Sequence, residues 1–244
     1  VGKGCFQTEQ SGVTLQGALL ASTDSLYVPQ GRAAPLVYEK STGKSRGSIP
    51  NAGGTYCLLT EEDQLISGPQ NQKEKDQVLR VADGTRRSHL LTFRGTNRML
   101  VNKQFAYLHQ GENLTALDRV SYVDLQDEKR QLLAKQAAIA KQLKGRKNDQ
   151  TLKSQHSETG SRIQMLTTSL PKCFKWKIPC GHPIGFAMGG NTLYVGGDGI
   201  VMAFNASNGK KQWSAKVDGK AYGLAISNGR LLVSTDKGHI HCFQ

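Results

Sequence analysis

Two histidines at a spacing of two, His239 and His241, come nearest in this chain to a metal-binding pattern. Alternate residues of a strand share a face, and imidazole nitrogens bind zinc and copper. Cys242 falls on the opposite face and does not join them. Cys180-Gly181-His182 offers a further thiol and imidazole from elsewhere in the chain. A strand histidine pair facing solvent needs no metal, so His239 and His241 stand as weak metal candidates, with no catalytic or cofactor-binding residue assigned. The five cysteines, at 5, 57, 173, 180 and 242, are odd in number and contain no C-x-x-C. A structural zinc site is therefore not expected, and the plain reading is of free thiols buried in strands. Cys173 and Cys180 are near enough in sequence to meet across neighbouring strands, though their spacing does not require it.

Gly189-Gly190 and Gly196-Gly197-Asp198-Gly199 invite a phosphate-loop reading. Neither G-x-G-x-x-G before a helix nor G-x-x-x-x-G-K-[ST] is present, so hairpin turns account for them. Asp24, Asp83, Asp198 and Asp236 fall at or near turns, where a carboxylate bonds its own backbone. Ser22, Ser67 and Ser234 have no His-Asp partners by spacing. The stronger candidate is a basic segment. Lys129, Arg130, Lys135, Lys141, Lys144, Arg146, Lys147 and Lys153 outnumber Asp127, Glu128, Asp149 and Glu158 there, which suits docking on a partner or acidic surface. The contrary expectation is that its apolar stripe lies on the protein's own face and its lysines are merely solvated.

The elements that carry these residues repeat. LYVGGDGIVMAFNASNGKKQW (193–213) and LYVPQGRAAPLVYEKSTGKSR (26–46) share a plan of strand, glycine turn, strand and polar G-K turn. Weaker copies occur at 64–90, 105–119 and 230–243. Self-similarity at roughly 40 residues marks a repeat architecture. Strands are predicted at Thr55–Leu59, Gln64–Ser67, Gln77–Val81 and Ser88–Phe93, with Gly68–Lys75 as a polar loop. Others are predicted at Arg98–Val101, Phe105–Leu108 and Leu114–Leu117. After Asp118-Arg119 the alternation stops. Leu125, Leu132 and Ile139 recur every seven residues, with Leu133 and Leu143 widening the stripe, and predict an amphipathic helix over 123–143. Lys144–Asp149 reads as a turn. Leu152, Ile163 and Leu166 predict a weaker helix over 150–168, with Gly160 a doubtful centre. Strands resume at Cys173–Ile178, so the helical hairpin, 123–170, is inserted into one turn of one unit.

Outside that insertion stand about 4.7 units of the propeller-type period. The predicted fold is all-β: a β-propeller of four-stranded antiparallel blades, about five in this chain or part of a ring of seven or eight. The expected domain is a single propeller over 1–244, incomplete as given. The opening residues, VGKGCFQTEQ, read as neither initiator nor signal peptide, which suggests a processed or excised piece. No apolar run is long enough to span a membrane. A formal charge of +13 raises nucleic-acid binding, but the basic segments are not interleaved with aromatic residues for base stacking.

Ala203-Phe204-Asn205-Ala206-Ser207-Asn208-Gly209-Lys210-Lys211-Gln212-Trp213 resembles the A-x-D-x-x-T-G-K-x-x-W repeat of quinoprotein-like propellers. That family includes pyrroloquinoline-quinone alcohol dehydrogenases and the propeller lipoprotein of outer-membrane protein assembly. The phrases at 31–44, 114–119 and 221–243 are also similar to large exported propeller proteins of planctomycete-type bacteria. The resemblance implies further blades upstream, a periplasmic or cell-surface location and a propeller related in layout to WD40 rings. It also implies a tryptophan closing each blade. Trp176 and Trp213 hold that place, whereas the first two units have Gly47 and Leu90 or Leu91. A dehydrogenase would need pyrroloquinoline quinone, a calcium ion and an aspartate base; none is assignable, and the dehydrogenases' vicinal cysteine pair is absent. The expected role is a non-catalytic scaffold that presents loops and the basic hairpin to a protein partner. The alternatives are a partial or degenerate quinone-dependent dehydrogenase, and a module of a larger enzyme.

Overall fold

The computed structural model describes residues 15–54, 56–70, 77–182 and 184–244. Cys5, Thr55 and most of the expected 68–75 loop lie outside these. Strand alternation in the sequence becomes four antiparallel sheets. The first joins β1 (Leu20–Ala21), β2 (Ser25–Gln30), β3 (Ala33–Glu39) and β4 (Ser45–Ser48) in chain order. The second joins β5 (Tyr56–Leu59), β6 (Gln64–Gly68), β7 (Val78–Asp83) and β8 (Ser88–Arg94). The third holds β9 (Thr96–Val101), β10 (Phe105–Gln110), β11 (Asn113–Asp118) and β12 (Phe174–Pro179). Helices α1 (Arg119–Gly145) and α2 (Gln150–Ser169) and a 3₁₀ turn (Leu170–Cys173) lie between its last two strands.

The last sheet has six strands: β13 (Gly185–Gly189), β14 (Thr192–Gly196), β15 (Asp198–Asn205), β16 (Lys211–Ser227), β17 (Arg230–Thr235) and β18 (Ile240–Phe243). β16 serves two blades. Its residues 211–220 pair with β15, and 221–227 pair with β17. The sheet is thus a four-stranded blade followed by three strands of another among the described residues. This is the arrangement the repeat predicts, a β-propeller with a helical insertion.

The chain forms two compact units, residues 1–99 with 108–112, and 100–107 with 113–244. Tyr27, Val37, Ile49, Ala52, Leu65 and Ala82 form the core of the first. In the second, Tyr107, Leu114, Leu193, Val195, Met202 and Phe204 share one cluster. Val201, Val217, Ala221, Leu231 and Val233 share another. Consecutive residues of one strand enter different clusters, Val201 one and Met202 and Phe204 the other, so the inner strands are buried on both faces.

Register shows what stands where the repeat expects tryptophan. Val37 pairs with Gly47, Val81 with Leu91, Ala116 with Trp176 and Ala203 with Trp213. The second unit therefore uses Leu91. In the second compact unit Trp176 reaches the next blade's turn: its indole N–H donates to the Ala206 carbonyl at 3.0 Å, and a Cβ on Gly209 would come within 2.9 Å of the ring. Gly209 is left-handed, φ +72°, which glycine adopts without steric cost. In the first compact unit the sizes are exchanged. Arg87 occupies the left-handed turn position, φ +54°, and its guanidinium lies 2.8 Å from where a Cβ on Gly47 would be. A large group on either side fills the gap, so Gly47 is a swap in size rather than a lost contact.

Four corresponding hydrogen bonds fix where the turn after each third strand begins. The N–H groups of Lys40, Gly84, Arg119 and Ala206 donate to Asp24, Asp63, Gln104 and Asn191 carbonyls at 2.9, 2.8, 3.1 and 2.9 Å. Arg119, the first helical residue, thus occupies the place where the other blades begin a short turn. The helix starts four residues before the expected 123, because Asp118 supplies the cap that the apolar pattern did not reveal.

Candidate functional site

The hairpin is held at its root by two charged residues buried at the end of β11. Asp118 accepts from the Ser121 N–H at 3.2 Å and the Ser121 hydroxyl at 3.0 Å. The Gln104 amide donates to it at 2.7 Å, and the Lys175 ammonium stands 3.4 Å away. Burial pushes this carboxyl up, but the Ser121 and Gln104 donors and Lys175 outweigh it and hold it below the ordinary carboxylate range. Arg119 is 7% exposed. Its guanidinium donates to the Asn102 and Lys103 carbonyls at 2.8 and 3.2 Å. Tyr122 meets Phe174 edge-on with ring centroids 5.6 Å apart. Beside this root lies a cleft of about 240 Å³ floored by Phe105, Tyr107 and Trp176 and edged by Asn191 and Ser207.

Beyond the root the helices pack on one another. On α1 the partly or fully buried positions include Leu125, Lys129, Leu132, Gln136, Ile139 and Leu143, spaced four, three, four, three, four. Leu152, His156, Thr159, Ile163 and Leu166 on α2, with Leu170 at the start of the 3₁₀ turn, repeat that spacing. This is the seam of an antiparallel coiled coil. Eight of these twelve positions are leucine or isoleucine. The rest went unseen because Lys129, Gln136, His156 and Thr159 are polar. Thr159 satisfies its hydroxyl on the Gln155 carbonyl at 2.6 Å. Gly160 does not break α2; a Cβ there would stand 3.0 Å from the Gln136 amide, so the glycine lets the helices approach. Leu133, expected to widen the stripe, is 47% exposed and lies off the seam. The stripe is spent on the hairpin's own interface, and the substantial packing of α1 and α2 elsewhere is with the 3₁₀ turn and β11.

The candidate cations divide. Lys129 is partly buried in the seam. Arg130 pairs with Asp127. Arg162, which the sequence did not single out, forms a two-pronged pair with Glu128 at 2.7 and 2.9 Å. Lys135, Lys141, Lys144, Arg146, Lys147 and Lys153 are exposed and make no ion pair among the described residues.

His239 and His241 stand with ring centroids 6.1 Å apart, edge to face. Both turn to Asp218: His239 Nδ1 lies 3.1 Å from its carboxylate, and the Asp218 N–H donates to His241 Nε2 at 3.1 Å. Lys237 takes the other carboxylate oxygen at 2.7 Å. Cys180 is buried in the core, and His182 packs over Gly197. Cys57, Cys173, Cys180 and Cys242 form no disulfide among the described residues. Two depart from the expected pattern: Cys173 sits in the 3₁₀ turn and Cys242 is exposed. Asp83 bonds the Arg86 N–H of its own turn at 2.7 Å, as expected, whereas Asp236 takes the Lys220 N–H from the bend of β16. A calcium-held quinone asks for several converging oxygen ligands. Among the described residues no three His, Cys, Asp or Glu side chains converge on a cation position. The described residues do not fit that group.

Blades of this register, with aromatic or guanidinium contacts on the next turn, define a repeat β-propeller. Residues 148–244 match the family described as outer membrane protein assembly factor BamB. BamB from Moraxella catarrhalis is similar in fold, with TM-score 0.54 and 11% identity over 95% of this chain and 59% of that one. The computationally designed Ika8 protein (TM-score 0.53, 9% identity, 93% of this chain and 57% of that one) and U3-55K (0.53, 10%, 94% and 62%) are similar as well. The chain thus spans about three-fifths of the length of these structures. No curated protein matches the sequence significantly. Among the described residues no helix is long and apolar enough to cross a membrane.

Proposed function

We propose that this chain is a non-catalytic propeller platform that presents its turns and the basic hairpin to a protein partner. One observation carries the reading. The hairpin's apolar seam is satisfied internally and its root is locked, so its outer face is left for another molecule. The family matched by residues 148–244 is named for an assembly factor of outer-membrane proteins, which supports a docking role at an outer-membrane-associated or exported location. The narrower resemblance to exported planctomycete-type propellers belongs to this proposal too. Fold alone does not choose a function; the choice rests on the hairpin.

The test is a graft. Residues 119–173 are replaced by the Ala206–Lys210 turn of the following blade, which joins the same two strand ends. Proteins recovered from a cell-envelope extract by the whole chain should be lost with the graft, while its β-sheet circular dichroism persists. Unchanged recovery counts against the proposal.

A further inference from the structure

Resting on that docking role, we infer that the hairpin's distal end is an electrostatic docking site for a polyacidic protein segment, one rich in aspartate and glutamate. The antiparallel register, fixed by Glu128 against Arg162 and Gln136 against Gly160, divides the arm at about Lys135 and Gly160. The distal half carries Lys135, Lys141, Lys144, Arg146, Lys147 and Lys153 against Asp149 and Glu158. Those two carboxylates serve locally: Asp149 caps α2 through the Leu152 N–H, and Glu158 takes the Ser154 hydroxyl. The root half, with its capping residue and the 3₁₀ turn, carries Arg119, Lys129, Arg130, Arg162 and Lys172 against Asp118, Asp124, Asp127 and Glu128, and two of its cations are in ion pairs. Charge is therefore segregated, near balance at the root and in cationic excess at the tip.

The excess acts at a distance from its balancing groups. A helix of 27 residues is about 40 Å long, several times the Debye length of about 8 Å at physiological salt. The C-terminus of α1 and the N-terminus of α2 meet at the tip, so their opposed partial charges cancel and the side chains set the field.

The chemistry of the tip favours carboxylates. It carries no aromatic residue between Tyr122 and Phe174, so bases of single-stranded nucleic acid find no stacking platform. Ile139, Leu143 and Leu152 are turned into the seam, which leaves no apolar wedge for a bilayer. All of its cations but Arg146 are lysines: point charges on flexible stems, without the planar fork that selects phosphate. Cations from both helices and the intervening turn suit an extended acidic segment that wraps rather than a rigid partner.

Poly-L-glutamate is the probe, titrated against the whole chain at low and physiological salt. The tip variant is K141E/K144E/R146E/K147E. A charge-matched control, K44E/K210E/K211E/K216E, changes cations elsewhere. Circular dichroism verifies that both remain folded. The tip variant should weaken polyglutamate binding about tenfold and the control less than about twofold, with added salt erasing the difference. Equal weakening by both variants overturns the assignment. Tighter tip-dependent binding to phosphatidylglycerol vesicles or duplex DNA than to polyglutamate also overturns it. If selectivity for the tip is absent while the turn graft still loses its partners, this assignment falls and the docking role stands. If selectivity is present but the graft keeps every partner, the docking role falls, and the physiological claim with it.

Discussion

Gly209→Ala tests the contact that joins one blade to the next, because Gly43 provides a matched control in the same kind of turn. Gly43 and Gly209 have φ of +70° and +72°. A Cβ on Gly43 would meet nothing within 4 Å. Alanine there bears only the left-handed backbone, about 1 kcal/mol. A Cβ on Gly209 would stand 2.9 and 3.0 Å from Trp176 ring carbons and 3.3 Å from Ile178. The indole cannot bend away as a flexible chain would. Moving it strains the hydrogen bond to Ala206, worth about 1 kcal/mol, and overpacks the site by about 1–2 kcal/mol. The expected cost is about 2–4 kcal/mol for Gly209→Ala against about 1 kcal/mol for Gly43→Ala. Urea unfolding separates them, since both tryptophans, 176 and 213, report on the second compact unit alone while far-ultraviolet circular dichroism follows both units, so a transition seen by dichroism and not by tryptophan fluorescence belongs to the first. In a Trp176→Ala background, still reported by Trp213, the Gly209→Ala cost should fall to the Gly43 value. Equal costs at the two glycines, or a Gly209 cost unmoved by removing Trp176, would refute the reasoning.

Two further outcomes follow from the root and the thiols. Asp118 titrates below the ordinary carboxylate range when folded. Its contribution is therefore present above the unfolded value of about 3.9 and is lost as pH falls through the lower folded value. Helical ellipticity at 222 nm should drop on acidification below about pH 4. Asp118→Asn keeps an N-cap acceptor and loses only the charge facing Lys175, so it should cost less than about 1 kcal/mol at neutral pH and flatten that acid limb; an unchanged limb assigns the transition to other groups. With Cys5 replaced by serine, a thiol-reactive dye should label Cys242 first, because burial pushes the Cys57 thiol up to about 11 and also raises Cys173 and Cys180. Rapid labelling of three or more thiols in the folded chain would contradict this burial.

What the sequence disclosed depended on whether polarity tracked burial. In the strands it did: Leu193, Val195 and the apolar run Val201-Met202-Ala203-Phe204 are all buried. The strand spacing and the point of insertion were accordingly readable. In the hairpin it did not. Gln136, His156 and Thr159 sit in the seam while Leu133 is exposed, because a two-helix interface is narrow and tolerates polar residues that reach its edge. Reading apolar residues alone therefore missed four of the twelve seam positions and misplaced Leu133. The basic character of the site was legible by counting. Its segregation was not, since the pairing of Glu128 with Arg162 crosses between helices and has no signature in local spacing. The departure at Gly47 was visible, but its compensation by Arg87 lies on another blade and needed the register.

The same register explains why a long helical arm fits into a blade without disrupting it. The residue ending the third strand is Glu39, Asp83, Asp118 or Asn205 in the four blades. Its side-chain oxygen organises the start of the connection in each case. Glu39 takes the Thr42 hydroxyl at 2.5 Å, Asp83 the Arg86 N–H at 2.7 Å and Asn205 the Ser207 N–H at 2.9 Å. Asp118 takes the Ser121 N–H three residues on, the same offset as in the Asp83 turn. A tight turn and the first turn of a helix share this opening, because an acceptor at the strand end serves equally as an N-cap. Continuing into a helix from Asp118 therefore required no new chemistry at the junction. It required only that the next residues favour helix, and the Gln-, Ala- and Leu-rich run through 131–143 does. The arm returns through the Leu170–Cys173 turn to β12, which pairs Trp176 with Ala116 in the register that Trp213 keeps with Ala203. The blade thus closes as its neighbour does, and the exposed cations beyond the root make no ion pair that holds it, among the described residues.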